Sequence, residues 1–255
     1  MTSPQGPDER GGRDFIGPPA RDYLVLGAHW GLLAFFIGLG GYHLVAMLVA
    51  LVVHGQYAGP TPLDLPELGP LVLVVFLPHV LLALGPLAGS RRWGRGIRLD
   101  LPLLPDLRDL RIGLACGAVA VVTGSVLNLV LMRIYGNERT SQNPLTELAE
   151  GLGDNVFWLV VLALLIVIAV PIAEELLVRG SLWSALEHYR LPRGAVLALT
   201  AIVFAYLHED QMRTVALFGQ GLAIGAARMI TGRLASSVVA HSVNNLLPAL
   251  VLVFA

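Results

Sequence analysis

The chain has 255 residues, of which 55% are hydrophobic and only 14% charged, with a mean hydropathy of +0.71 and a formal net charge of −1. Repeated apolar runs of about twenty residues match the thickness of a bilayer core and exclude a soluble domain, so the expected class is all-α, a polytopic transmembrane helix bundle. Cys116 is the only cysteine, so no intrachain disulfide can form. The partner this composition implies is membrane lipid, with no nucleic acid expected.

Residues 1–22 are rich in Pro, Gly and charge and have no apolar core. They read as a disordered tail rather than a cleavable signal peptide. Residues 23–255 read as a single transmembrane helical domain. Seven spans are expected, with eight as the upper count, at roughly 26–53, 68–89, 110–132, 156–188, 194–209, 212–231 and 234–254. Gly38, Gly40 and Gly41 in the first span signal close helix packing. Pro78 and Pro86 break the second, and Gly113 and Gly117 give the third a small-xxx-small face. A charged, Pro-rich linker joins the second and third spans, and a polar loop, 133–155, follows the third.

All seventeen basic residues are arginine. In the seven-span layout fourteen of them fall on one side, and only Arg133, Arg139 and Arg213 on the other. The positive-inside rule then puts the N-terminus in the cytoplasm and the C-terminus outside, in a bacterial plasma (inner) membrane. Arg228, near the end of the sixth span, reads as a snorkelling anchor on the cytoplasmic side.

The fourth span carries Pro171-Ile172-Ala173-Glu174-Glu175-Leu176-Leu177-Val178-Arg179. On a helix Glu175 and Arg179 stand at i and i+4, in the favourable order for an ion pair. Glu174 points about 100° away and has no local partner. An unpaired carboxylate inside a bilayer marks a functional site. Pro171 removes a helical hydrogen bond one turn earlier, and reads equally as a bend toward a polar cavity or as an ordinary membrane-helix proline.

Hairpin geometry brings further groups to Glu174. Glu174 and His208 both lie seventeen residues from Leu191, in the turn between two antiparallel helices, so they reach equal depth. His241 and Asn245 share a face of the last helix, nine and thirteen residues beyond Gly232. A free carboxylate, two imidazoles and an amide around one cavity suit hydrolysis. Glu174 can act as general base on water, and His241 and Asn245 can donate to a developing oxyanion. A second version places a divalent metal such as zinc on His208, His241 and Glu174, with an open position for water. The sequence leaves both open.

Glu174-Glu175-x-x-x-Arg179, then Phe204-x-x-x-His208, then His241-x-x-x-Asn245 resembles the CPBP family of intramembrane proteases, which includes the CAAX prenyl endopeptidases. The resemblance covers about 156–254. It implies a membrane-embedded endopeptidase acting on a protein or peptide in or at the membrane, with Glu174 as base, His208 holding the water, and His241 and Asn245 as oxyanion donors. Glu175, Arg179 and Phe204 support them: Arg179 reads as a structural lock on Glu175 in preference to a substrate contact, and Phe204 as a cavity wall or a core residue.

Other signals are weaker. Gly151-Leu152-Gly153-Asp154 and Pro248-Ala249-Leu250 match presenilin-type aspartyl protease motifs, but no second intramembrane aspartate exists, and Asp154 reads as a helix N-cap. His208-Glu209 begins a His-Glu-x-x-His pattern whose last place holds Met212. His29, His43, His54, His79 and His188 read as packing, interfacial or solvated residues. The rival functions are a non-catalytic membrane scaffold of the same fold and a proton-coupled transporter.

Overall fold

The computed structural model describes residues 23–57, 68–136 and 144–254. The expected disordered tail, 1–22, therefore lies outside the described residues. The long helices are α1 (Trp30–Tyr57), α2 (Leu68–Trp93), α4 (Leu107–Tyr135), α6 (Val156–His188), α8 (Thr214–Thr231) and α9 (Leu234–Phe254). Between them lie the single turn α3 (Ile97–Asp100), α5 (Pro144–Leu152) and α7 (Arg193–Leu207). The result is an all-α polytopic bundle.

Six of these helices are long and apolar enough to cross a membrane. The span expected at 194–209 differs. As α7 it has 15 residues, which at 1.5 Å per residue is about 22 Å, short of a bilayer core of about 30 Å. It stops at His208 because the polar run to Arg213 follows, and Glu209 turns the chain with a positive φ of 51°.

Two further departures are local. The first span starts later than expected, because Leu24–Val25 (β1) and Ala28–His29 (β2) form a small antiparallel hairpin, with Leu26 and Gly27 at positive φ in its turn. The polar loop after α4 contains α5, whose Leu148, Ala149 and Leu152 pack with Val72, Phe76, Leu159 and Leu162. The N-cap of α6 is Asn155, not Asp154: the Asn155 side chain accepts from the Trp158 N–H at 3.4 Å.

α6 runs through the middle of the bundle, and every residue from Ala173 to Trp183 is buried. Against one side lie α1 and α2, which approach each other almost backbone to backbone. A Cβ on Gly85 would stand 2.6 Å from the Ala34 carbonyl oxygen and 2.8 Å from the Gly38 nitrogen. On the other side α4 lays Gly113 and Gly117 against Val239 and Val243 of α9, as the small-xxx-small spacing predicts. Gly40 is no part of such packing, since a Cβ there meets nothing within 4 Å. Gly85→Val is therefore expected to lower stability by about 1–3 kcal/mol through overpacking, while Gly40→Ala leaves it unchanged or slightly raised. Thermal unfolding in detergent checks both.

Arg228 does not snorkel to water. It is buried, its Nη1 donates to the Gly232 carbonyl at 3.3 Å, and it lines a cavity of about 340 Å³ with His29, Arg95, Asp100 and Glu187. Asp109 ties this end together: it completes a capping box with Asp106 at the start of α4 and accepts from Arg233 Nε at 2.7 Å.

Candidate active site

The site begins with a defect in α6. The turn Leu165–Ala169 is π-helical, so the Val170 N–H reaches back five residues to the Leu165 carbonyl. In the same register the Ile166 carbonyl would take the next N–H, that of residue 171. Residue 171 is proline and has none. The Ile166 oxygen instead accepts from Asn245 Nδ2 of α9 at 3.0 Å. A proline and a widened turn thus dock α9 onto α6 one helical turn before the carboxylates, and π-turns of this kind recur at functional sites. A second π-helical stretch, Leu176–Leu182, follows them and carries Arg179.

Glu175 and Arg179 form the expected pair. Arg179 Nη1 donates to Glu175 Oε1 at 2.8 Å, and both side chains are completely buried. Arg179 does more than lock Glu175. Its Nη2 donates to the Gly221 carbonyl of α8 at 2.8 Å, and its guanidinium lies 4.7 Å above the Phe204 ring of α7. One cation therefore joins α6, α7 and α8.

Glu174 is buried at 8% exposure, and its Oε2 has no hydrogen-bond partner. His241 stands between the two glutamates. Its Nδ1 is 3.2 Å from Glu175 Oε1, and its Nε2 is 3.9 Å from Glu174 Oε2, too far for a direct hydrogen bond. A carboxylate only accepts, so Nδ1 carries the proton toward Glu175. Phe204 is the common wall, its ring 5.2 Å from that of His241 and 4.6 Å from that of His208.

His208 ends α7 and is exposed at the rim rather than enclosed. Its Nδ1 is 2.9 Å from the Phe204 carbonyl. That oxygen can only accept, so Nδ1 holds the proton and Nε2 is left with its lone pair. Among the described residues no hydrogen bond or ion pair joins His208 to Glu174. Nor do three His, Cys, Asp or Glu side chains converge there as a metal-binding group. Glu174, His208 and His241 as arranged thus do not make the three-ligand set that a zinc ion needs.

Sequence reasoning left several neighbours out. His79 of α2 lies within electrostatic reach of both Glu174 and His208, and Tyr42 of α1 within reach of Glu174. Their rings touch each other at 5.3 Å. His79 therefore belongs beside the site rather than among the packing histidines. An ionisable residue in an apolar helix was the available signal. His43 reaches toward Glu209 at 3.8 Å, and His29 stacks on His188 at 4.7 Å, away from the carboxylates. The side chain of His54 lies outside the described residues. Gln220 and Asn244 also adjoin the site, Gln220 Nε2 donating to Asn244 Oδ1 at 2.9 Å.

Comparison with known proteins matches residues 156–247 to the family model described as Type II CAAX prenyl endopeptidase Rce1-like. The chain is also 25% identical over 135 residues to the membrane-embedded CAAX protease MroQ of Staphylococcus aureus (strain USA300). That alignment covers 50% of this chain and 52% of MroQ, so the chain spans about half the length of the curated relative it matches. No solved structure matches. Residues 156–247 are thus similar to the Rce1-like CAAX prenyl endopeptidases, and both comparisons support a CPBP-family intramembrane protease.

Proposed function

We propose that the protein is an intramembrane endopeptidase that cleaves a membrane-associated protein or peptide with a water activated by Glu174. The observation that carries this reading is the buried Glu174 Oε2, without a partner and facing His241 across 3.9 Å. A carboxylate kept unpaired in apolar surroundings is costly to hold and is available to take a proton.

In this mechanism the His208 Nε2 lone pair accepts one hydrogen of the water, and Glu174 removes the other. The water oxygen attacks the scissile carbonyl carbon, and the electron pair of the carbonyl moves to its oxygen. Two carboxylates and one arginine leave the buried cluster one positive charge short. A doubly protonated His241 balances it, and its Nε2–H then serves as an oxyanion donor. The second amide hydrogen of Asn245, the one not given to Ile166, is the other donor. Glu174 then passes its proton to the leaving amine as the C–N bond breaks. The arginines of the tail and of residues 91–111 support a cytoplasmic N-terminus in the plasma (inner) membrane. The expected C-out end needs a seventh crossing, which the 15-residue α7 is too short to supply, and Arg179 and Arg228, both buried, drop out of the arginine count.

The test uses the protein in proteoliposomes with internally quenched, membrane-inserting peptides, one set ending in a prenylated CAAX sequence and one without the prenyl group. Wild type is expected to cleave at least one set, and His208→Ala to slow that cleavage by about 10²-fold. Wild type that cleaves no peptide of either set would sink the reading.

A further inference from the structure

Asn245 is the last link of a chain of amides. Its Nδ2 donates to the Ile166 carbonyl at 3.0 Å, and its Oδ1 accepts from Asn244 Nδ2 at 3.1 Å. Asn244 Oδ1 in turn accepts from Gln220 Nε2 at 2.9 Å. The direction of every link is forced from one end. The Ile166 oxygen can only accept, so Asn245 must turn its NH2 toward it, which turns Oδ1 toward Asn244. Asn244 must then present NH2 to Asn245, which leaves its own oxygen for Gln220. The anchor is the carbonyl that Pro171 deprives of a helical partner. At the far end the carboxamide of Gln220, itself buried, rests where a Cβ on Gly124 of α4 would stand. The relay therefore runs from α4 and α8 through α9 to α6.

We propose that Gln220 and Asn244 are positioning residues that hold the Asn245 amide with an N–H, not an oxygen, toward the reacting carbonyl. The proposal rests on the peptidase reading. The terminal torsion of an asparagine is broad and close to two-fold, so an amide held by its NH2 alone at Ile166 still rocks and flips more readily than one held at both ends. A flipped Asn245 would put an acceptor where negative charge develops. Misorientation changes the transition state more than substrate binding, so it falls on kcat and not KM.

The experiment measures cleavage of the quenched peptide in proteoliposomes and thermal unfolding midpoints for Gln220→Met, Asn244→Ala and the double variant. Expected are a roughly tenfold loss of kcat for Asn244→Ala and a smaller loss for Gln220→Met, each at unchanged KM. That is less than the 10²–10³-fold loss typical of removing an oxyanion donor outright, which Asn245→Ala reads. Because the two residues act in one chain, the midpoint shifts of the single variants should exceed that of the double when added. Additive shifts with an active wild type overturn the relay. Sub-additive shifts with full kcat in Asn244→Ala, while Asn245→Ala is slow, overturn the positioning role and leave packing only. Wild type that cleaves nothing overturns the peptidase reading, and the positioning role with it.

Discussion

Glu174→Gln is expected to reduce peptide cleavage by about 10²–10⁴-fold, the contribution of a positioned general base, without lowering the unfolding midpoint. The two halves of that expectation have one cause. Glu174 Oε2 makes no hydrogen bond in the folded protein, so an amide of the same shape takes nothing from the bundle. It also removes a buried charge, whose desolvation cost offsets the attraction lost to His241 3.9 Å away, so the folded state is not weakened. Only the ability to take a proton from water is lost. The same variant separates the rival functions. A membrane scaffold would keep its partner-dependent phenotype in Glu174→Gln, and a protease would not. Full cleavage activity in this variant would remove Glu174 as the base.

Part of this candidate site was legible in the sequence because its members are local or share one helix face. The Glu175–Arg179 pair needed only helical spacing, and the isolation of Glu174 followed from the 100° step. His241 was found because polar groups on one face of an apolar helix stand out. What the sequence concealed depends on departures from regular geometry. No residue pattern announces the π-turn at Leu165–Ala169, so Pro171 read ambiguously and the link from Asn245 to Ile166 could not be foreseen. Equal-depth arithmetic assumed that α7 spans fully. It stops at His208, which leaves that imidazole at the rim. His79 and Tyr42 come from helices far earlier in the chain, and only tertiary packing brings them toward Glu174. Arg228 sat where a snorkelling residue would sit, but the hairpin at residues 24–29 and α3 build a covered cavity over it.

Arg179→Ala should be the most destabilising substitution in the bundle, costing about 3–5 kcal/mol, because it strands a buried carboxylate. Arg179 also holds the Gly221 carbonyl and the Phe204 face, so α7 and α8 lose their common attachment to α6. Arg179→Lys is not expected to rescue it. An ammonium group cannot reach a carboxylate and a carbonyl in divergent directions while stacking on a ring. Removing both charges is different. Glu175→Leu with Arg179→Met replaces a buried ion pair by apolar volume, which is often neutral or stabilising, so most of the lost midpoint should return. Cleavage should not return, because His241 Nδ1 then lacks the acceptor 3.2 Å away that fixes its proton and ring orientation. Unfolding midpoints and peptide cleavage measured on the single and double variants together decide the matter. A double variant that folds and cleaves like wild type would show that Glu175 serves only the fold. One that folds but does not cleave assigns Glu175 the task of orienting His241.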